Sequence, residues 1–362
     1  MSLNEYKVEL HNFLGQKQNK LLSAVVMPDF FLDRLLDLPW TPDEFSKISA
    51  DVVNRKGGSI DGISQQDIKG GNAVNTASAL AALGIKVTPI LCTSSYGLHL
   101  LNYHFKGGVD LSHVKVFPKA SVTTAFELKA GQGKVNVMLR DVGSLADFGP
   151  EDLDAEDYAV IDKADYVCLF NWAGTKTHGT ALAKKVFGKT KQVGKGKTYY
   201  DTADPMPNKA GIVDLMQTVL ETSDVDMLSL NENEAVAYAS LLDGSIEEKR
   251  CKESFNDLAL EAARILSKHF SARIDLHTTS FSASLKGNSE VVVPTFKVNV
   301  VRATGAGDAW NAGNVFGDGN GLSDGCRLML ANAVSACYLS DSAGVHPSLA
   351  KLEEFINNYV QS

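Results

Sequence analysis

The chain has 362 residues, 44% hydrophobic and 22% charged, with a net charge of −8. A chain this long buries a core without disulfides or a structural metal, and its acidic balance with no basic block argues against nucleic acid as a main partner. Five scattered cysteines without C-x-x-C, no H-E-x-x-H, no apolar run of about 18 residues and no signal-like start argue against a disulfide framework, zinc, a membrane span and secretion; the expected compartment is the cytoplasm.

In chain order, Tyr6, Leu10, Phe13 and Leu14 have the spacing of a short amphipathic helix. The strand expected next is 21–27, followed by a charged, irregular stretch over 33–69. Gly70-Gly71-Asn72 opens a small-residue helix over 73–83 that Gly84 terminates. Strands follow at 87–92, 122–128 and 134–139, the last two forming a hairpin around Gly131-Gln132-Gly133. From about residue 160, strands at 166–169, 198–201, 226–230 and 273–278 alternate with helices at 209–220, 233–242 and 254–270. Short strands at 291–293 and 296–300 lead into a glycine turn at 305–307. Helices at 309–316, 324–340 and 349–359 close the chain.

Buried strands separated by helices imply βαβ units and a mostly parallel sheet in one α/β domain over 1–362. The β-rich stretches 34–68 and 109–142 break that rhythm. They are expected to form a small lid over the carboxyl edge of the sheet, where such sheets bind ligands.

Gly188-Lys189-Thr190 and Gly196-Lys197-Thr198 resemble the end of a P-loop, but Ala183 and Lys191 stand where its earlier glycine belongs, so both are expected to be lysine-rich loops. A G-x-G-x-x-G fingerprint from 305 fails at Trp310. The segment Thr304-Gly305-Ala306-Gly307-Asp308 is more informative. Small residues at a helix start leave backbone N–H groups bare, and the helix dipole favours an anion there. Asp308 lies on the first turn. An anion cradle beside a carboxylate suits phosphoryl transfer to an alcohol, with the carboxylate taking the hydroxyl proton. The same segment also fits a tight turn capped by Asp308.

Two segments together resemble the ribokinase-like (PfkB) carbohydrate kinase family. Gly70-Gly71-Asn72-Ala73-Val74-Asn75-Thr76-Ala77, with Gly84 beyond, is similar to its N-terminal signature. Thr304-Gly305-Ala306-Gly307-Asp308 is similar to its C-terminal G-A-G-D signature. The resemblance covers roughly residues 21–360, with weaker echoes at Asp33, Asn231-Glu232-Asn233-Glu234, Asn332 and Gly344 to Pro347. It implies a Rossmann-like domain with a β-lid that transfers the γ-phosphate of ATP, with Mg²⁺, to a sugar-type hydroxyl. By carry-over, Asp308 is the base and Gly305, Ala306 and Gly307 form the anion hole. Asp33, Gly71, Asn72 and Asn75 hold the acceptor's hydroxyls. Asn231, Glu234, Thr304 and Asn332 serve the nucleotide and Mg²⁺-phosphate end, with Glu234 acting on the metal indirectly. Pairing of lids between subunits implies a homodimer.

The residues taken alone leave alternatives open. Asn231-x-x-Glu234 also fits a helix cap, Asn75 a satisfied buried amide, and Phe30, Phe31 and Trp40 core packing. Two departures from the family pattern stand out. Arg302 replaces an Asp linked to a monovalent-cation site, so K⁺ is not expected here. Thr278-Thr279-Ser280-Phe281-Ser282-Ala283 lacks the glycines of T-x-G-x-x-G, and Phe281 is expected to alter the adenine pocket. The reaction expected is sugar phosphorylation. The alternatives are a nucleoside kinase and a sugar-binding protein with weak catalysis.

Overall fold

The computed structural model describes residues 3–16, 21–131, 133–250, 252, 254–301 and 304–360. Eight strands form the central sheet. In spatial order they are Ser289–Pro294, Phe281–Lys286, Arg273–His277, Met227–Asn231, Lys197–Asp201, Tyr166–Phe170, Ser23–Met27 and Lys86–Pro89. The six from Arg273–His277 to Lys86–Pro89 are parallel, and the hairpin at the other edge is antiparallel. Helices cover both faces, so the central strands are buried on both sides; all five residues of Tyr166–Phe170 are buried. Two apolar clusters result, one on each face of the sheet.

The chain leaves Ser23–Met27 toward Lys86–Pro89 on one side and returns to Tyr166–Phe170 on the other. The order therefore reverses at Ser23–Met27, and a crevice opens beyond the carboxyl ends of these strands. Two helices start there, Asn72–Ala82 and Ala306–Gly319, and they pack against each other.

A second, four-stranded sheet has the order Ser64–Gly70, Phe31–Asp37, Ser121–Ala130, Gly133–Asp141. Helix Pro42–Asn54 starts with a capping box between Thr41 and Glu44, and its Phe45 packs on Phe126 of this sheet, with ring centroids 6.0 Å apart. The stretch 33–69, read as irregular from its charges, is thus strand, helix and strand. Its polarity reflects exposure: none of the helix's residues is fully buried.

Other differences have local causes. The expected strand 296–300 is unpaired chain, because the ladder ends at Pro294 opposite Phe281. Of its alternating apolar residues, Phe296 packs on Phe355 and Tyr359 of the last helix at 5.4 and 4.8 Å, while Val298 and Val300 line a cavity. Gly188-Lys189-Thr190 is not a loop but part of helix Gly179–Val193, where Thr190 Oγ1 donates to Val186 O over 2.9 Å. Gly196 fits tightly under the sheet, since a β-carbon there would stand 2.8 Å from Ala164 O. The expected helix 209–220 is a 3-10 segment, a short α-helix and a π-turn in succession. Helix Ser95–Phe105 and strand Phe281–Lys286 are additional to the elements read from the sequence.

Helix Leu3–Leu14 packs on helices Asp324–Leu339 and Leu349–Val360, burying Leu10 and Leu14. Among the described residues no helix is long and apolar enough to cross a membrane. Cys92, Cys168, Cys326 and Cys337 are buried thiols, and Cys251 lies outside the described residues.

Candidate active site

Asp308 lies on the first turn of helix Ala306–Gly319 and is 6% exposed. Gly305 precedes that turn with φ +89°, which a side chain disfavours, and a β-carbon there would stand 2.8 Å from the Tyr338 hydroxyl. The turn 305–307 presents a helix N-terminus with no side-chain cap, the arrangement that favours an anion. The Thr304 carbonyl accepts from Tyr338 Oη over 3.1 Å, so this residue anchors the turn.

Asn72 Nδ2 donates to Asp308 Oδ1 over 2.8 Å, and Asn75 Nδ2 donates to Asp308 Oδ2 over 2.9 Å. Lys69 Nζ in turn donates to Asn75 Oδ1 over 3.3 Å, which orients that amide. The two sequence signatures therefore meet at one carboxylate. Burial raises the pKa of Asp308 to about 8; the two amides pull it down, and the charges of Asp201 and Asp29 push it up.

Asp29 follows the strand Ser23–Met27 and is fully buried. Its carboxylate accepts from the backbone N–H of Asn72 and of Ala73, both over 2.8 Å, and from Asn171 Nδ2 over 2.9 Å. Asp29 thus caps the helix that Gly71, with φ +100°, leaves uncapped. A β-carbon on Gly71 would stand 2.9 Å from Asp29 O, and one on Gly70 would stand 2.0 Å from Asp33 Oδ2. The close approach expected of Gly71 is to Asp29, within the protein itself. Each of the paired glycines makes room for an aspartate.

Asp33 lies on the strand Phe31–Asp37, its carboxyl pKa raised by burial and held back by Thr123 and the charge of Arg140. Its Oδ1 is buried without a partner, as is Asn171 Oδ1. Arg140 extends over the Phe31 ring, 4.9 Å from its centroid. Phe30 and Phe31 are core residues, and Trp40 stacks on Phe45 at 6.4 Å.

Asn231 and Glu234 form a reciprocal capping box, with Asn231 N–H donating to Glu234 Oε2 over 2.9 Å and Glu234 N–H donating to Asn231 Oδ1 over 3.0 Å. Glu234 is 3% exposed, and burial, together with the charge of Asp201, raises its pKa well above the usual range. Asp201, at the end of Lys197–Asp201, is raised by burial too and accepts from Asn311 Nδ2 over 2.6 Å. Asn311 is held in turn by Tyr199 Oη and Ser229 Oγ, each at 2.7 Å. Asp29, Asp201, Glu234 and Asp308 thus end or follow strands and open helices around one crevice, each with its ionisation disfavoured. Such a set gains from a bound cation or from hydroxyl donors. Among the described residues no three His, Cys, Asp or Glu side chains converge on one metal position.

Next to the 305–307 turn lies a cavity of about 660 Å³, lined among others by Ala306, Gly307, His277, Thr279, Phe296 and Leu339. Asn332 forms part of its wall, but the amide is already engaged: Oδ1 accepts from Ser282 Oγ over 2.6 Å and from Trp310 Nε1 over 2.9 Å, and Nδ2 donates to Pro294 O over 3.1 Å. Phe281, expected in an adenine pocket, packs against the core instead and is absent from the lining. The glycine-poor turn before it is closed by Thr278, whose hydroxyl accepts from the N–H of Ser280 and Phe281 over 3.1 and 2.9 Å. Arg302, on which the K⁺ expectation rests, lies outside the described residues.

Asp29, Asn171, Asp201, Asn311, Arg140 and His277 are not among the site residues expected from the sequence. Asp29, Asp201 and Asn171 carried one readable signal: a polar residue at or just beyond the carboxyl end of a buried strand. Asn311 carried another, an amide three residues beyond Asp308 in a helix of mostly small and apolar residues.

The family model described as pfkB family carbohydrate kinase matches residues 47–350. A 5-dehydro-2-deoxygluconokinase from Geobacillus kaustophilus is 27% identical over 80% of this chain and 85% of its own. Among solved structures, adenosine kinase from Sinorhizobium meliloti superposes with a TM-score of 0.68 at 17% identity, covering 94% of this chain and 99% of its own. A protein from E. coli assigned as ribokinase II, in complex with ATP and Mg²⁺, has a TM-score of 0.71 at 14% identity, covering 93% and 100%.

Proposed function

Because the chain belongs to the pfkB family of carbohydrate kinases, phosphotransferases with a hydroxyl acceptor, we propose that it transfers the γ-phosphoryl group of ATP to a hydroxyl of a small sugar at Asp308. The observation that carries this is the placement of Asp308: buried, held by two amides, on the first turn of a helix whose N-terminus borders a cavity large enough for a nucleotide. Asp308 takes the proton of the attacking hydroxyl. The backbone N–H groups at 305–307 stabilise the charge on the phosphoryl group in flight. Asn72 and Asn75 keep the carboxylate aimed, and the unpartnered Asp33 Oδ1 accepts from an acceptor hydroxyl.

Mg²⁺ arriving with ATP would neutralise phosphate charge during the transfer. Asp201 and Glu234, both with ionisation disfavoured, are the residues that would face it, Glu234 while capping its helix with Asn231.

The four-stranded sheet acts as a lid: Asp33 and Arg140 lie on its strands, and its closure excludes water from the transfer. Val135, Val137 and Leu139 on its edge strand are about half exposed, which supports pairing of two lids in a homodimer.

A coupled assay of pentoses, hexoses, keto-sugar acids and nucleosides with Mg·ATP tests the proposal. Turnover with a sugar is expected. Turnover confined to nucleosides would make the chain a nucleoside kinase, and sugar binding with no turnover would make it a binding protein.

A further inference from the structure

His277 ends the strand Arg273–His277, at the carboxyl edge of the sheet. Its ring stacks on Trp310, with centroids 4.9 Å apart and planes at 35°. Trp310 is itself pinned, since its Nε1 donates to Ser282 Oγ over 3.0 Å and to Asn332 Oδ1 over 2.9 Å. The imidazole is therefore a fixed group. Its Cε1–Nε2 edge faces the anion turn: a β-carbon on Gly307 would stand 3.2 Å from Cε1 and 3.9 Å from Nε2. His277 also lines the 660 Å³ cavity together with Ala306 and Gly307. Nε2 is buried and has no hydrogen-bond partner.

A buried, oriented, unpartnered nitrogen is costly unless something else satisfies it. Burial depresses the pKa of this imidazole to about 4, so it is neutral at working pH and carries one N–H. Beside an anion-binding turn the group that completes it is an oxygen acceptor.

We propose, on the footing of the kinase activity above, that His277 binds the phosphoryl donor: its Nε2–H donates to a phosphate oxygen of the nucleoside triphosphate held at 305–307. The contact adds direction without adding charge. It supplies a side-chain donor beside the loop Thr278 to Ser280, whose Thr278 hydroxyl is turned inward to close the turn.

The experiment compares the wild type with His277→Phe and His277→Gln in the full chain. Phenylalanine keeps the stack on Trp310 and removes the nitrogen; glutamine restores an N–H donor. A hydrogen bond to a charged group predicts a rise of about 10- to 100-fold in KM for Mg·ATP in His277→Phe, with the acceptor KM unchanged. His277→Gln should recover part of the loss. Direct binding of tripolyphosphate and of adenosine separates the two ends of the nucleotide. The phenylalanine variant should lose affinity for tripolyphosphate and keep it for adenosine.

Loss of adenosine affinity alone, or a KM for Mg·ATP in His277→Phe within about twofold of wild type, overturns the inference. So does an equal loss in both variants accompanied by a fall in Tm, which marks a packing role. A wild type that phosphorylates neither sugars nor nucleosides overturns the kinase reading and this inference with it. An active wild type with an indifferent His277→Phe overturns the inference alone.

Discussion

Asn72 donates its side-chain amide to Asp308 over 2.8 Å, although the two residues stand 236 positions apart. Asn75, one turn further along the same helix, holds the other carboxylate oxygen at 2.9 Å. Each residue sits at the start of a helix entering the same crevice, so packing of those two helices fixes the orientation of the base.

The pH dependence of kcat/KM follows from that geometry. Burial lifts Asp308 from 3.8 to about 8, and the base must be ionised to accept a proton. Activity should fall as pH drops through about 8, rather than near the ordinary carboxylate range. The Asn75 amide pulls this pKa down, so Asn75→Ala should move the acid limb to higher pH. A profile of the variant shifted to lower pH, or a wild-type limb near 4, would contradict this.

Gly70→Ala tests the link between the first signature and Asp33. The added β-carbon would stand 2.0 Å from Asp33 Oδ2, so the carboxylate must move. We expect a loss of stability of about 1–3 kcal/mol, typical of overpacking, and a raised acceptor KM with KM for ATP unchanged. Denaturant unfolding and steady-state kinetics measure the two effects. An unaltered acceptor KM would remove Asp33 from the acceptor site.

If the four-stranded sheet is a lid, backbone amides in 31–37, 64–70 and 121–131 should exchange hydrogen more slowly once acceptor is bound. Exchange unchanged in all three segments, with binding shown separately, would leave the sheet without that role.

Arg302 stands where the family pattern has an acid associated with a monovalent cation. Its guanidinium keeps its charge at any working pH. Activity should therefore be nearly indifferent to exchange of K⁺ for tetramethylammonium at constant ionic strength. Several-fold activation by K⁺ would show an ordinary cation site built without an acid at 302.

The parallel sheet was legible because its strands are short buried runs between helices, and the two glycine signatures marked both helices of the crevice. Residues whose roles depend on distant partners were not legible. Asp29 gives no local sign that it caps a helix beginning at Asn72, and nothing in the run Gly70-Gly71 says that aspartates 29 and 33 occupy the space beside them. The alternation at 296–300 read as a strand because one residue packed on a helix and two lining a cavity leave the same pattern in five residues as pairing in a sheet. Helix Pro42–Asn54 carried readable signals, a capping box at Thr41 and Glu44 and an apolar stripe at Phe45, Ile48 and Val52, which the surrounding charges and the glycines at 57, 58 and 62 obscured.

The most direct test of the central claim is phosphoryl transfer from Mg·ATP to its best acceptor by Asp308→Asn, measured beside acceptor and nucleotide binding. Loss of the base should lower kcat by about 10²–10⁴-fold while both ligands still bind and the fold persists. A variant that turns over at near the wild-type rate would contradict the assignment of Asp308 as the base.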